Sequence, residues 1–170
     1  MTDTDADEDV ETTEGYEPLW LSVARAFVGV TEFPGPASNP VILRWARAIK
    51  APTWYDGDDK AWCAVFMNRI FLACQLPMAG TGYGLLRAQS FETWGRPLTS
   101  PAPGAVLVFT RPSGHHVGLF LGERAPDAYR VLGGNQDNAV GEARMARDRL
   151  TAIRWPVEPL RLTTAAEPRL

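Results

Sequence analysis

Residues 101–121 read PAPGAVLVFTRPSGHHVGLFL, and the residue pattern changes within them. After a segment rich in Pro and Gly, residues 105–110 and 116–121 contain mainly aliphatic and aromatic side chains, which is typical of short strands. Residues 111–114 between them have the composition of a turn. The pattern therefore predicts two strands joined as a hairpin. Two more strands are predicted further on, over residues 129–132 and 150–155.

The chain before residue 101 has helical spacing instead. Apolar residues recur every three or four positions over residues 19–27, 42–49 and 62–74, which predicts three amphipathic helices. A fourth helix is predicted over residues 85–94. Because helices come first and strands later, we expect an α+β domain with N-terminal helices packed on a C-terminal antiparallel sheet.

Charge is distributed unevenly along the 170 residues, whose formal net charge is -3. Residues 1–17 contain eight carboxylates and no Lys or Arg, which predicts an acidic, disordered tail. Residues 18–170 contain 17 basic and 12 acidic residues, a net charge of +5. We expect one domain over residues 18–160 and a C-terminal tail over residues 161–170. The positive charge of residues 18–170 favours an anionic partner. Nucleic acid is not expected as that partner, because the arginines are scattered and no recognisable binding motif accompanies them.

The sequence carries no sign of membrane insertion or secretion. No segment approaches the roughly 20 consecutive apolar residues of a membrane span. The first residues also lack the basic and apolar regions of a secretory signal. We therefore expect synthesis in the cytoplasm, and release by another route if the protein acts elsewhere.

Cys63 lies at the predicted beginning of the third helix. Free backbone amides and the helix dipole favour a thiolate at such a position, so we expect a lowered pKa and a nucleophilic thiol. A small core residue is the alternative interpretation. Cys74 follows 11 positions later, roughly 16 Å along a continuous helix, which is too far for a disulfide. We expect Cys74 to be a core residue.

The chain has two histidines, His115 and His116. Neighbours on a strand point to opposite faces, so at most one of them faces a given site. This favours a Cys/His pair, in which the imidazole takes the thiol proton and later protonates the leaving amine. A zinc site would need three or four ligands, so we expect no metal and no cofactor. A surface histidine is the alternative.

A third group usually orients the imidazole of such a pair. Asn135, Gln136 and Asp137 are the candidates, because they directly follow a predicted strand. The alternative is an ordinary turn, which Gly-Gly-Asn favours.

Five short sequence blocks, taken together and in their order along the chain, indicate a protein family. They are WCAVFMN (62–68), GTG (80–82), PGAVLVF (103–109), GHHVG (114–118) and LGGNQ (132–136). In this order they resemble the motif blocks of papain-like cell-wall hydrolases. The resemblance is closest to a phage- and prophage-associated branch of the CHAP group, the cysteine- and histidine-dependent amidohydrolases/peptidases, and it extends from about Pro18 to Pro156.

The resemblance implies a role for each member of the catalytic set. Cys63 matches the nucleophile, His116 matches the base, and Asn135 matches the residue that orients the imidazole. Many CHAP enzymes have a Glu two positions before that Asn, where this chain has Gly133. Either Asn135 or Gln136 must then orient the imidazole alone.

The resemblance also implies a papain-like fold and a reaction. We expect a cysteine peptidase or amidase that cleaves peptidoglycan through a thioester, as a stem-peptide endopeptidase or an N-acetylmuramoyl-L-alanine amidase. Trp54, Trp62, Tyr83 and Gln136 are expected to bind the substrate. The alternative for the tryptophans is burial in the core.

Two other functions stay open from the sequence. One is a catalytically silent wall-binding or virion structural module, and the other is a cysteine transferase or deamidase that acts on proteins. For the hydrolase we expect a monomer that acts at the periplasm or cell wall. A phage particle, a lysis system or a secretion apparatus would deliver it.

Overall fold

The computed structural model describes residues 17–157. The acidic tail predicted over residues 1–17 lies outside the described residues except for its last member, and so does the C-terminal tail predicted over residues 161–170. The described α-helices are α1 (Leu19–Arg25), α2 (Pro40–Ala48) and α3 (Cys63–Ala73). The described strands are β1 (Arg96–Pro97), β2 (Val106–Arg111), β3 (Gly114–Ala125), β4 (Ala128–Gln136), β5 (Ala139–Ala146) and β6 (Leu150–Trp155).

The six strands form one antiparallel sheet with the order β1-β6-β2-β3-β4-β5. The helices precede the sheet along the chain, and α3 packs against β3 and β4. The α+β prediction is therefore confirmed at the level of class. The predicted hairpin is also present, with Phe109 opposite His116 and Arg111 opposite Gly114.

Three elements differ from the sequence prediction, the shortest of them the unpredicted two-residue strand β1. The helix predicted over residues 85–94 is instead two short 3₁₀ helices, Gly82–Leu86 and Ala88–Thr93, because Arg87 between them is extended (φ -107°, ψ 120°). Strand β5 was not predicted, because its sequence AVGEARMA lacks β-branched and aromatic residues apart from one Val. It forms at the edge of the sheet, where exposed charged side chains are tolerated.

Apolar side chains cover both faces of the sheet. One cluster lies between the helices and the sheet, and its buried members include Leu21, Ile42, Phe66, Ile70, Val117 and Leu132. A second cluster includes Leu107, Phe109, Phe120, Tyr129 and Val131. Neighbouring residues of β2 alternate between the two clusters, as expected for a strand buried on both faces. The sheet is therefore a rigid central layer for residues presented at its edges and strand ends.

The close packing of α3 on β4 depends on Gly134. A Cβ at this position would lie 2.7 Å from Cβ of Phe66 and 2.7 Å from a ring carbon of Trp62. Only glycine allows the helix to approach the strand so closely. This contact places the first turn of α3, which begins at Cys63, beside the ends of β3 and β4.

None of the helices between residues 17 and 157 is long and apolar enough to span a membrane.

Candidate active site

The Cys63 sulfur lies among backbone N–H groups at the beginning of α3. The backbone N–H groups of Cys63 itself, Ala64 and Val117, the last from β3, are near enough to the sulfur to lower the pKa of the thiol. Trp62, the N-cap residue, provides no side-chain cap, and the first turn contains no acidic residue. The first amides of α3 therefore stay available to a ligand or to the thiol.

The expected lowering of the Cys63 pKa is not what the structure gives. Cys63 is only 5% exposed, and burial raises the pKa of its thiol above the ordinary value. The N–H group of Val117, the charge of Arg111 and the amides of the first helical turn lower the pKa, but they do not offset desolvation. The Cys63 thiol is thus neutral near pH 7, and it would need a base to act as a nucleophile.

His116 lies on β3 and is fully buried. Its Nε2 is 2.9 Å from Oε1 of Gln136. The Gln136 amide nitrogen donates to the carbonyl oxygens of Val131, at 3.0 Å, and Gly141. Because two carbonyls hold the NH₂ group, the Gln136 oxygen must face the imidazole, and Nε2 of His116 must carry the proton. In the neutral ring Nδ1 is then the acceptor.

Burial lowers the pKa of His116 to about 4, and the charge of Arg111 acts in the same direction. The hydrogen bond to Gln136 raises this pKa but has a smaller effect. The imidazole is therefore neutral near pH 7. Its Nδ1 is buried and has no hydrogen-bond partner among residues 17–157. An unpaired acceptor nitrogen of this kind is the chemical form that a general base requires.

Cys63 and His116 both lie beside the start of β3, before the pairing of β3 with β4 begins. The pairing of the two strands begins at Leu119 and Leu132, so the backbone at His116 and Val117 has no partner in β4. The Cys63 sulfur reaches the N–H group of Val117, the residue directly after His116. No hydrogen bond joins the sulfur to the imidazole within residues 17–157, and such contacts commonly tighten only when substrate binds.

Among residues 17–157 the imidazole forms its hydrogen bond with Gln136 and not with Asn135, the residue that the resemblance matches to the orienting role. Asn135 is left-handed (φ 55°), and the register of β4 shifts between Gly133 and Gln136. In the orientation that satisfies its hydrogen bonds, the Asn135 amide donates to Glu32 at 3.1 Å and accepts from the Trp62 N–H at 3.3 Å. The shift turns Gln136 toward the imidazole, whereas Asn135 ties the end of β4 to the beginning of α3.

Glu32 contacts two of these residues, although no sequence pattern pointed to it. Its carboxylate accepts from the indole Nε1 of Trp62 at 2.7 Å, besides its contact with Asn135. The segment around Glu32 runs beside the start of β5, where Thr31 pairs with Ala139. The sequence signal was weak, because this Glu stands in a turn-rich segment far from the catalytic blocks.

The residues expected to bind substrate divide into two groups. Trp62 is fully buried and Gln136 is almost so, hence neither side chain lines an open groove. Trp54 and Tyr83 are 52% and 59% exposed, and their ring centroids are 5.9 Å apart. The Arg87 guanidinium lies 5.7 Å from the centre of the Tyr83 ring. Trp54 and Tyr83 therefore form an exposed aromatic pair available to a ligand.

The structure also describes the second cysteine, the second histidine and the side chains that could bind a metal. Cys74 is partly buried beyond the end of α3, and both cysteines are free. Nε2 of His115 lies 3.6 Å from a carboxylate oxygen of Glu92. Among the residues that the structure describes, no group of three or more His, Cys, Asp or Glu side chains is arranged to hold a metal ion.

No protein-family model matches the chain, and no curated protein sequence matches it.

Proposed function

We propose that the chain is a papain-like cysteine hydrolase of the CHAP type that cleaves an amide bond in peptidoglycan. One observation carries the proposal. The Cys63 thiol at the start of α3 is near enough to the backbone N–H group of Val117 for that group to lower its pKa, and Gln136 determines which nitrogen of the neighbouring His116 carries the proton. In the proposed mechanism Cys63 is the nucleophile, His116 is the neutral base and Gln136 is the orienting group.

The proposed reaction is an acyl transfer to sulfur. Nδ1 of His116 takes the thiol proton of Cys63 while the sulfur attacks the amide carbonyl carbon. The free N–H groups of the first turn of α3 stabilise the oxyanion that forms. Nδ1 then gives its proton to the leaving amine, and the C–N bond breaks. A water molecule, deprotonated by the same nitrogen, attacks the thioester, which releases the carboxylic acid and restores the thiol.

Two features beyond the catalytic set support a wall polymer as substrate. Residues 18–170 carry a net charge of +5, which favours approach to an anionic polymer. Trp54 and Tyr83 offer two exposed rings, and flat apolar faces suit the faces of sugar rings. The scissile bond is either within the stem peptide or between the sugar and its first amino acid. Delivery to the wall would require a phage particle, a lysis system or a secretion apparatus.

The experiment is turbidity loss of purified cell walls with the full chain, Cys63→Ala and Cys74→Ala. We expect clearing with the wild type and with Cys74→Ala, which is a matched control because it removes the other free thiol. Cys63→Ala should be inactive. Clearing by Cys63→Ala would refute the mechanism, and loss of clearing only in Cys74→Ala would show that the other cysteine is the nucleophile.

Mass spectrometry of the released fragments distinguishes the two bonds. A new free amino group on the first stem residue indicates an amidase, whereas cut stem peptides indicate an endopeptidase. If intact walls bind the chain and no fragment appears from any wall preparation, the catalytically silent wall-binding module replaces the hydrolase. Incorporation of a labelled amine into a protein substrate would instead indicate a transferase.

A further inference from the structure

Arg111 ends β2 on the strand face that carries His116. Phe109 lies directly opposite His116, and Arg111, two residues further along, is on the same side of β2. Diagonal neighbours of this kind are about 7–8 Å apart, which is within reach of a long side chain. The residue opposite Arg111 is Gly114, which has no side chain to fill the space.

The Arg111 guanidinium is exposed and has no acidic partner within residues 17–157. Four of the described arginines, Arg25, Arg130, Arg144 and Arg147, form an ion pair with a carboxylate, and Arg111 is among those that do not. The charge of Arg111 nevertheless reaches the catalytic groups, because it lowers the pKa of both Cys63 and His116. A positive charge without an ion pair among residues 17–157 therefore stands at the end of β2, two residues past the partner of His116.

We infer that Arg111 binds a carboxylate of the substrate beside the scissile amide, and so selects acidic peptides over amidated ones. The inference rests on the proposed cysteine hydrolase. A guanidinium presents two parallel N–H donors to a carboxylate, which gives direction as well as charge attraction. An exposed Arg without an internal partner keeps those donors available.

Binding of a carboxylate would also change the base. The bound anion offsets the charge of Arg111, which removes one of the two causes that lower the His116 pKa. The imidazole then becomes a stronger base when an acidic substrate is in place. We therefore expect the carboxylate of the substrate to raise kcat as well as to lower KM.

The first test needs no knowledge of the natural substrate. Alkylation of Cys63 is followed by mass spectrometry with iodoacetate, which carries a carboxylate, and with neutral iodoacetamide. For the full chain we expect the ratio of the two rates to be about tenfold higher than for Arg111→Gln, with Arg111→Lys between them. Arg124→Gln is the matched control, since Arg124 is exposed on β3 eight residues from His116, roughly 25 Å along the strand. It should keep the wild-type ratio.

The second test uses two synthetic stem peptides that differ only in a free carboxylate or a carboxamide beside the scissile bond. The wild type should prefer the carboxylate by about tenfold in kcat/KM, and Arg111→Gln should lose this preference by slowing on the carboxylate alone. An equal loss on both peptides would overturn the inference, as would an iodoacetate ratio that Arg111→Gln leaves unchanged. A charge-dependent ratio without hydrolysis of either peptide would support carboxylate binding and refute the hydrolase. A Cys63 unreactive toward both reagents would refute both.

Discussion

Acidification is expected to destabilise the folded chain through His116. Burial and the charge of Arg111 lower its pKa from the ordinary 6.5 to about 4. Between these two values the unfolded chain binds a proton at this residue and the folded chain does not. The free energy of unfolding therefore decreases as the pH falls through the window. The pKa difference of about 2.5, at about 1.4 kcal/mol per unit, corresponds to a loss of about 3 kcal/mol by pH 4.

The assay is urea unfolding followed by tryptophan fluorescence at several pH values between about 7 and 4. The full chain is compared with His116→Gln, which removes the titrating group, and with His115→Gln as the control. Carboxylates contribute to the acid dependence of all three proteins, so the comparison isolates His116. We expect His115→Gln to follow the wild type, and His116→Gln to lose about 3 kcal/mol less over the window.

Equal losses of unfolding free energy in the wild type and in His116→Gln would refute the reasoning. An independent measurement covers the case in which His116→Gln does not fold. The NMR titration of the His116 ring in the wild-type chain gives its pKa directly. A value near the ordinary 6.5 would mean that the imidazole is exposed to solvent and that its proposed role as a buried neutral base is wrong.

Three further predictions concern packing and substrate binding. Gly134→Ala should lower the free energy of unfolding by about 2 kcal/mol and reduce activity, because the added Cβ would lie 2.7 Å from Cβ of Phe66 in α3. Gly141→Ala is the control, since a Cβ there has free space and should change stability little. Thermal unfolding of the two variants measures the difference. Asn68→Leu should cost about 3 kcal/mol in urea unfolding, since this buried amide makes three hydrogen bonds to backbone groups. The double variant Trp54→Ala, Tyr83→Ala should change stability by less than about 1 kcal/mol and raise KM for wall fragments, because both rings are exposed. An unchanged KM would exclude the aromatic pair from substrate binding.

The parts of the fold that were predicted correctly have strong local patterns. The β2–β3 hairpin follows from two apolar runs around a turn, and α3 follows from apolar spacing after a polar loop. The missed strand β5 has a sequence of small and charged residues whose strand conformation depends on pairing with β4. The 3₁₀ helices at residues 82–93 were predicted as one α-helix, because the apolar spacing does not reveal the extended Arg87.

The site was predictable to a similar degree. The position of Cys63 at a helix start came from the sequence pattern. Choosing His116 rather than His115 required the resemblance to the CHAP blocks. The contact of Gln136 with the imidazole depends on the register shift in β4, which the residues Gly-Gly-Asn permit but do not require. Glu32 and Arg111 belong to segments with no catalytic pattern of their own.

The sequence by itself therefore determined the class of fold, the hairpin that presents the histidine and the helix that begins at the candidate nucleophile. These depend on side-chain periodicity and turn chemistry, which act over a few residues. Only the tertiary structure decided the protonation states of Cys63 and His116 and the hydrogen-bond partner of the imidazole. Desolvation and contacts between distant strands raise the pKa of Cys63, lower that of His116 and make Gln136 the partner of the imidazole. Such effects arise from the dielectric and the neighbours that folding supplies, which no local pattern encodes.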